Sequence, residues 1–163
     1  YTIDTELFKL DGGAMFGVVP KSIWNKLNPA DENNLCSFAM RCLLIEDDTS
    51  GKSVFYAPGL GAIEPHVEAA LRRADCVLVD GTFWRADEMI ELGLSHKTAA
   101  DMGHLPQAGA GGMIAVLDAI GTRRKVLIHI NNTNPILDDD SEQRALLARH
   151  GIEVAFDGME ITL

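Results

Sequence analysis

Two short runs of apolar, mostly β-branched residues constrain the fold of this chain more than any other feature. They lie at residues 76–79 and 126–130, and each is too short for a helix and typical of a buried strand. A helix is predicted between the two runs, because apolar residues recur there at helical spacing: Met113, Val116, Leu117 and Ile120. One helical crossover between two neighbouring strands favours a parallel pair. The pattern therefore predicts an α/β fold.

The remaining elements are predicted from the same periodicities. Further strands are expected at residues 7–10, 14–19, 36–46, 53–57, 152–155 and 159–163, with a turn at 11–13 and a hairpin joining 36–46 to 53–57. Further helices are expected at residues 86–92 and 141–150, after Pro65, and as a short turn after Pro20. A polar loop is expected at residues 95–107.

Composition and charge exclude several function classes. A chain of 163 residues is long enough for a single domain with a real core. Its net charge of −10, with 14 Lys and Arg, repels phosphate backbones, so we expect no nucleic-acid partner. The sequence contains no apolar run of membrane-spanning length and no signal-peptide pattern, which predicts a cytoplasmic protein without a membrane partner. An odd number of cysteines, three, without a C-x-x-C pair suits a reducing compartment.

One cluster of polar residues is expected at the carboxyl edge of the predicted sheet. Asp80 and His129 come at the ends of the two apolar runs, and the loop that carries His104 leaves from near the same edge. Such a group could bind a divalent metal, or Asp80 could orient His104 as a general acid or base. Backbone N–H groups of Gly111 and Gly112 could hold a substrate carboxylate. The alternative is structural: a buried core histidine, a capping aspartate and glycines that allow close packing.

Long motifs in the second part of the chain carry a resemblance to a known family. They are FYAPGLGAIEPHVEAAL, CVLVDGTFW, LSHKTAADMGHLPQAGAGG, VLIHINNTNPILDDDS and GIEVAFDGMEITL. Over residues 45–163 the chain resembles the carboxyl half of the PqqB family, the PQQ-biosynthesis proteins B of the metallo-β-lactamase superfamily. The resemblance implies a layered sheet-and-helix fold and a step in the synthesis of pyrroloquinoline quinone.

The resemblance also implies a chemistry and a set of site residues. That family is associated with metal-dependent hydroxylation of a tyrosine within a precursor that joins glutamate and tyrosine, with iron as the favoured metal and zinc as the alternative. By resemblance, His129 is a metal ligand, His104 is an acid–base or substrate-binding group, and Asp80 orients His104. The turn residues that follow His129 are expected to surround the ligands: Asn131, Asn132 and Thr133.

Two departures from the superfamily pattern keep other functions open. The H-x-H-x-D-H motif, which supplies most superfamily metal ligands, is absent from the sequence. Residues 1–45 resemble instead the opening of lactonase-like hydrolases. The resemblance therefore indicates that two segments of the superfamily are joined near residues 44–48. We therefore expect an α/β metallo-β-lactamase-like fold that is incomplete relative to the αββα sandwich. The alternatives are a zinc hydrolase of lactone-like esters and a non-catalytic chimera without bound metal. Both enzymatic hypotheses, the hydroxylase and the hydrolase, are compatible with a small-molecule or peptide-derived substrate and with a homo-oligomer.

Overall fold

All six strands that lie within the described residues belong to one sheet. The structure, a computed structural model, describes residues 1–163 apart from the side chain of Glu6. The strands follow one another in the sheet in chain order: β1 (Thr2–Asp11), β2 (Leu35–Glu46), β3 (Ser53–Ala57), β4 (Cys76–Asp80), β5 (Arg124–Ile128) and β6 (Ile152–Val154). The first three strands pair antiparallel, and β3 to β6 pair parallel. The predicted parallel pair of strands is confirmed as β4 and β5.

The helices are short, and three of them form the hydrophobic core together with one face of the sheet. In chain order they are α1 (Gly12–Phe16), α2 (Lys21–Trp24), α3 (Pro65–Arg73), α4 (Glu88–Glu91), α5 (Met113–Ile120) and α6 (Glu142–Arg149), with 3-10 turns at Ala100–Met102 and Pro135–Leu137. Fully buried leucines from α3, α5 and α6 pack against one face of the sheet: Leu71, Leu117 and Leu147. That face carries the equally buried Phe55, Val77, Val79 and Leu127. The α/β fold class is confirmed.

The opposite face of the sheet carries apolar side chains that remain partly exposed. Leu43 pairs with Tyr56 across β2 and β3, and Ile45 lies two residues further along the same face. These side chains are 40%, 39% and 54% exposed. Within the described residues the architecture is therefore one sheet with a helical layer on one face, which agrees with the expected incomplete sandwich.

The region where the two resembling segments meet is a continuous hairpin. Asp47 accepts hydrogen bonds from the backbone N–H groups of Thr49 and Ser50, and Gly51 donates to the carbonyl of Asp47. Strand β2 runs through residues 44–46, and β3 begins at residue 53 on the other side of this turn. The sheet thus extends across both segments without interruption. No helix among the described residues has the length and apolarity needed to cross a membrane.

Two predicted strands are wrong. Residues 14–19 contain the end of α1 rather than a strand, because Asp11 caps that helix by accepting from the N–H of Ala14. Gly12 allows the turn to approach Trp24, since a Cβ atom there would lie 2.5 Å from the indole ring. Residues 159–163 form no strand in the structure, and the sheet ends at β6.

The predicted helix at residues 86–92 is shortened to α4, because its most buried residue is Glu88 rather than an apolar one. The Glu88 carboxylate accepts from the N–H of Trp84 at 2.8 Å and from the hydroxyl of Thr133. Ile90 and Leu92 remain exposed. The helical pattern assumes that an apolar face is turned towards the core. Here the Glu88 carboxylate is turned inward instead, because it has hydrogen-bond partners on two neighbouring segments. By contrast, the predicted helix at residues 141–150 is present as α6, and Ser141 caps it by accepting from the N–H of Arg144.

A pH dependence of stability follows from Asp75, which precedes β4. The N–H of Ser53 donates to its carboxylate at 3.0 Å, and the Lys52 ammonium lies 3.3 Å away. These contacts lower the pKa of Asp75 below 3.8. Because a depressed pKa favours the ionised folded state, this stabilisation is present above the unfolded-state pKa and is lost as pH falls through the folded one. We expect Asp75→Asn to destabilise the protein at neutral pH, and the deficit to shrink as pH falls from about 5 through the depressed pKa of Asp75.

Urea unfolding of the wild type and of Asp75→Asn across that range measures the deficit. The exposed Asp48 makes none of the contacts that Asp75 makes with β3, so Asp48→Asn is the matched control. A deficit for Asp75→Asn that stays constant with pH would contradict the assignment.

Candidate functional site

The candidate site lies where the parallel strands end. Asp80 is the last residue of β4, and its register partner in β5 is Ile128, the residue before His129. His104 arrives on the loop after the 3-10 turn, which is attached to the sheet edge by the hydrogen bond from Leu105 N–H to the carbonyl of Leu60 at 2.8 Å. The expected meeting of Asp80, His104 and His129 at one edge is confirmed.

The Asp80 carboxylate is fully buried and accepts four hydrogen bonds. Its Oδ1 accepts from the N–H of Thr82 at 3.0 Å and from the hydroxyl of Thr82 at 2.6 Å. Its Oδ2 accepts from the N–H of Leu60 at 3.0 Å and faces Nδ1 of His104 at 2.7 Å. Since a carboxylate has about four lone-pair positions, these donors satisfy the buried charge and leave little capacity for another ligand.

Thr82 is a central site residue that the sequence analysis did not single out. Its hydroxyl lies 3.1 Å from Nδ1 of His104 and 2.9 Å from Nδ1 of His129. The residue is 5% exposed, and it contacts Asp80 as well. The spacing Asp80-Gly81-Thr82 could have indicated it, because aspartate side chains commonly bond to groups two residues further on.

The two histidine rings face each other across the site. Their centroids are 5.5 Å apart with an interplanar angle of 23°, and the ring of His104 also meets that of Phe83 in a T-shaped pair. The His104 side chain is 15% exposed, whereas His129 is an exposed residue. Asp80, His104 and His129 each have one potential ligand atom within 4.8 Å of the others. Because the Asp80 oxygens already accept four hydrogen bonds, the two imidazoles are the groups available to a divalent metal ion.

His129 has an unusual backbone conformation that corrects the predicted extent of its strand. Strand β5 ends at Ile128 rather than at residue 130, because His129 adopts a φ of +54°. The carbonyl of His129 lies 2.9 Å from the Thr82 hydroxyl, and Asn131 N–H donates to the carbonyl of Thr82. A non-glycine residue with positive φ is uncommon and is found more often at functional sites.

A cleft of about 570 Å³ opens in front of the two histidines. Most of its lining is apolar, and it comes from both parts of the chain: Phe8, Leu10, Ala39, Met40, Arg41, Tyr56, Pro58, Gly59, Met102, His104 and His129. Arg41 is paired with Asp4, with 2.7 Å between Nε and Oδ1. The arrangement suits an apolar or aromatic group placed next to two imidazoles.

Comparison with known proteins identifies the family. The sequence model of a family described as "Beta-lactamase superfamily domain" matches residues 6–130, which is most of the chain and includes parts of both segments. The chain belongs to the beta-lactamase superfamily. Its fold class and the resemblance noted from the sequence are thereby confirmed at the level of the superfamily.

Individual relatives within the superfamily support the resemblance to PqqB. The chain is 69% identical over 121 residues to Coenzyme PQQ synthesis protein B of Cupriavidus taiwanensis, covering 74% of this chain and 40% of that protein. It is 59% identical over 121 residues to the same-named protein of Methylococcus capsulatus, again covering 74% of this chain and 40% of that protein. The crystal structure of Zn(2+)-bound PqqB from Methylobacterium extorquens matches with a TM-score of 0.72 and 40% identity, over 76% of this chain and 44% of that one. The chain thus spans about two fifths of the length of the curated relatives.

The other residues predicted for the site take different places in this superfamily member. Asn131 donates to the hydroxyl of Thr133 at 2.6 Å, and Thr133 donates to Glu88, while Asn132 is exposed. The buried member of that turn is Asn134, which the sequence analysis did not select. Its amide donates to the carbonyl of Gly81 at 2.9 Å, so it anchors the turn beneath the site.

The glycine-rich start of α5 is not among the residues that line the cleft. Gly112 donates its N–H to the carbonyl of Gly109, and the next two N–H groups, of Met113 and Ile114, donate to the carbonyls of Pro106 and Gln107. Gly111 is exposed and has a φ of +75°. The first N–H groups of α5 therefore already have backbone acceptors. Neither Gly111 nor Gly112 is among the residues that line the cleft or form the Asp80–His104–His129 group.

Proposed function

We propose that this chain takes part in the synthesis of pyrroloquinoline quinone, by binding a tyrosine-containing precursor beside a divalent metal that has His129 as a ligand. The high identity to proteins named Coenzyme PQQ synthesis protein B supports the pathway. The observation that carries the proposal is the position of the His104–His129 pair at the end of an apolar cleft. A phenol ring has an apolar body and one polar end, and it matches that distribution.

The residues of this chain would act on the substrate in two ways, by packing against its phenol ring and by accepting its phenol proton. The apolar lining, including Phe8, Met40 and Met102, would exclude water from the ring. The short contact between Asp80 and Nδ1 of His104 fixes that ring and leaves Nε2 for the substrate. Nε2 of His104 would accept the phenol proton while the buried carboxylate stabilises the charged imidazole.

The residues present fit a divalent metal in part. His129 offers an imidazole nitrogen, a common ligand for zinc and iron, whereas the free Nε2 of His104 is assigned to the substrate proton. The Asp80 oxygens already accept four hydrogen bonds, so Asp80 serves as the group that orients His104. One imidazole is fewer than the three protein ligands that catalytic zinc sites use. Iron, when bound, would supply the redox chemistry of phenol hydroxylation.

Metal reconstitution followed by peptide analysis tests the proposal. Protein purified without chelators is loaded with iron(II) or zinc(II) and incubated in air with a peptide containing glutamate and tyrosine. Ascorbate is added as the two-electron reductant, because the second oxygen atom of O₂ must be reduced to water. We expect mass spectrometry to detect addition of one oxygen atom to the tyrosine with iron and not with zinc. We expect His104→Gln to slow that reaction by about 10²–10⁴-fold, since it removes the proton acceptor.

The same samples separate the alternatives. Hydrolysis of lactone-like esters by the zinc-loaded protein, without oxygen addition by the iron-loaded protein, would replace the proposal with a hydrolase. Retention of neither metal after dialysis would leave a non-catalytic role.

A further inference from the structure

The Thr82 hydroxyl lies at the centre of the Asp80–His104–His129 group. Its oxygen is 2.6 Å from Oδ1 of Asp80, 2.9 Å from Nδ1 of His129 and 3.1 Å from Nδ1 of His104. The side chain belongs to a 5% exposed residue. The space between these three donor and acceptor atoms is therefore already filled by a protein group.

Counting protons assigns a direction to each of these contacts. A hydroxyl has one proton to donate and two lone pairs with which to accept, whereas an ionised carboxylate only accepts. The contact with Asp80 is the shortest that Thr82 makes, and hydrogen bonds to a charged acceptor are short and strong. The backbone carbonyl of His129, 2.9 Å from the hydroxyl, also only accepts. The shorter contact assigns the Thr82 proton to Asp80, and with either acceptor the Thr82 oxygen is left to accept from the ring of His129.

The same count fixes the other histidine. Nδ1 of His104 lies 2.7 Å from Oδ2 of Asp80, which can only accept, so Nδ1 of His104 must carry a proton. Both rings then have a protonated Nδ1 directed into the sheet edge. In a neutral imidazole the second nitrogen is a lone-pair acceptor, so Nε2 of each ring is available to the cleft.

We propose that Thr82 is a positioning residue that transmits the orienting effect of Asp80 to His129 and holds His129 as its Nδ1–H tautomer. Asp80 acts on His104 directly and on His129 only through the Thr82 hydroxyl. A metal at His129 and a substrate proton at His104 would then each meet the Nε2 atom of that ring, and not the space between the Nδ1 atoms. This inference deepens the proposed function of the same site, and its test requires neither a metal nor a substrate.

Nitrogen NMR of ¹⁵N-histidine-labelled protein, at a pH where both imidazoles are neutral, tests the tautomers. We expect a protonated Nδ1 on both His104 and His129 in the wild type and in Thr82→Ser, which keeps the hydroxyl. In Thr82→Val, which is nearly the same shape without a hydroxyl, we expect His129 to shift towards the Nε2–H tautomer. His104 keeps its direct contact with Asp80 and serves as the internal control.

The wild-type spectrum alone decides the outcome if Thr82→Val does not fold, because an unprotonated Nδ1 on His129 would overturn the proposal. An unchanged His129 tautomer in folded Thr82→Val would overturn it as well. Equilibrium dialysis with zinc(II) adds a second measurement, with an expected affinity loss of about 10–100-fold for Thr82→Val and retention in Thr82→Ser. Failure to hydroxylate a peptide would contradict the proposed function and leave the tautomer result unaffected.

Discussion

Asp80→Asn is expected to lower the free energy of unfolding by about 3 kcal/mol, the largest loss we expect from a change that preserves side-chain shape. Each carboxylate oxygen of Asp80 accepts two hydrogen bonds in a fully buried position. An asparagine NH₂ group in place of either oxygen would face a backbone N–H that can only donate, that of Thr82 or of Leu60. Urea unfolding followed by circular dichroism measures the loss.

A matched aspartate on the surface separates this effect from a general loss of negative charge. Asp118 is exposed and lies 2.7 Å from His150, a contact that is open to solvent. We expect Asp118→Asn to change the free energy of unfolding by no more than about 1 kcal/mol. If Asp80→Asn were equally mild, Asp80 would not be the anchor of the site.

Gly81→Ala is expected to destabilise the protein by about 1–3 kcal/mol and to displace His129. A Cβ atom at residue 81 would lie 2.9 Å from the carbonyl oxygen of Ile128 and 3.0 Å from Cβ of Leu127. These atoms belong to β5, and the N–H of Gly81 already donates to that carbonyl at 2.7 Å. Relief of the clash therefore moves the end of β5, from which His129 projects.

The histidine resonances and the affinity for zinc(II) report that displacement. Gly93→Ala is the control, because Gly93 has a φ of +68° and nothing within 4 Å of the added methyl group. It should cost about 1–2 kcal/mol through backbone strain alone and leave the His129 resonances unchanged. Unshifted His129 resonances in Gly81→Ala would show that the two strand ends are not coupled.

The apolar runs predicted the sheet well because their burial is decided locally. Residues 76–79 and 126–128 lie in adjacent parallel strands, so the sequence alone was enough to place together the carboxyl ends that hold Asp80 and His129. The loop bearing His104 also reaches that edge as expected. Alternation of apolar residues likewise predicted β2, which is buried on alternate positions from Met40 to Leu44.

The features that the sequence did not reveal depend on contacts between distant segments. Thr82 looks like an ordinary turn residue until β5 brings His129 within 2.9 Å of its hydroxyl. Glu88 interrupts an apolar helical pattern, and its burial depends on the hydroxyl of Thr133, 45 residues away, as well as on the N–H of Trp84. The left-handed conformation of His129 was likewise not evident from the sequence, because only a few per cent of non-glycine residues adopt φ above zero, even though histidine does so more often than most.

The affinity of His129→Asn for a divalent metal tests the central claim most directly. His129 is exposed, and asparagine tolerates its φ of +54° well, so the change removes the ring with little effect on the fold. Titration with zinc(II) and iron(II), with His150→Asn as the control, should show a loss of at least about 10-fold for His129→Asn. The free energy of unfolding should stay within about 0.5 kcal/mol of the wild type. Metal affinity equal to that of the wild type in a folded His129→Asn would contradict the assignment of this edge of the sheet as a metal site.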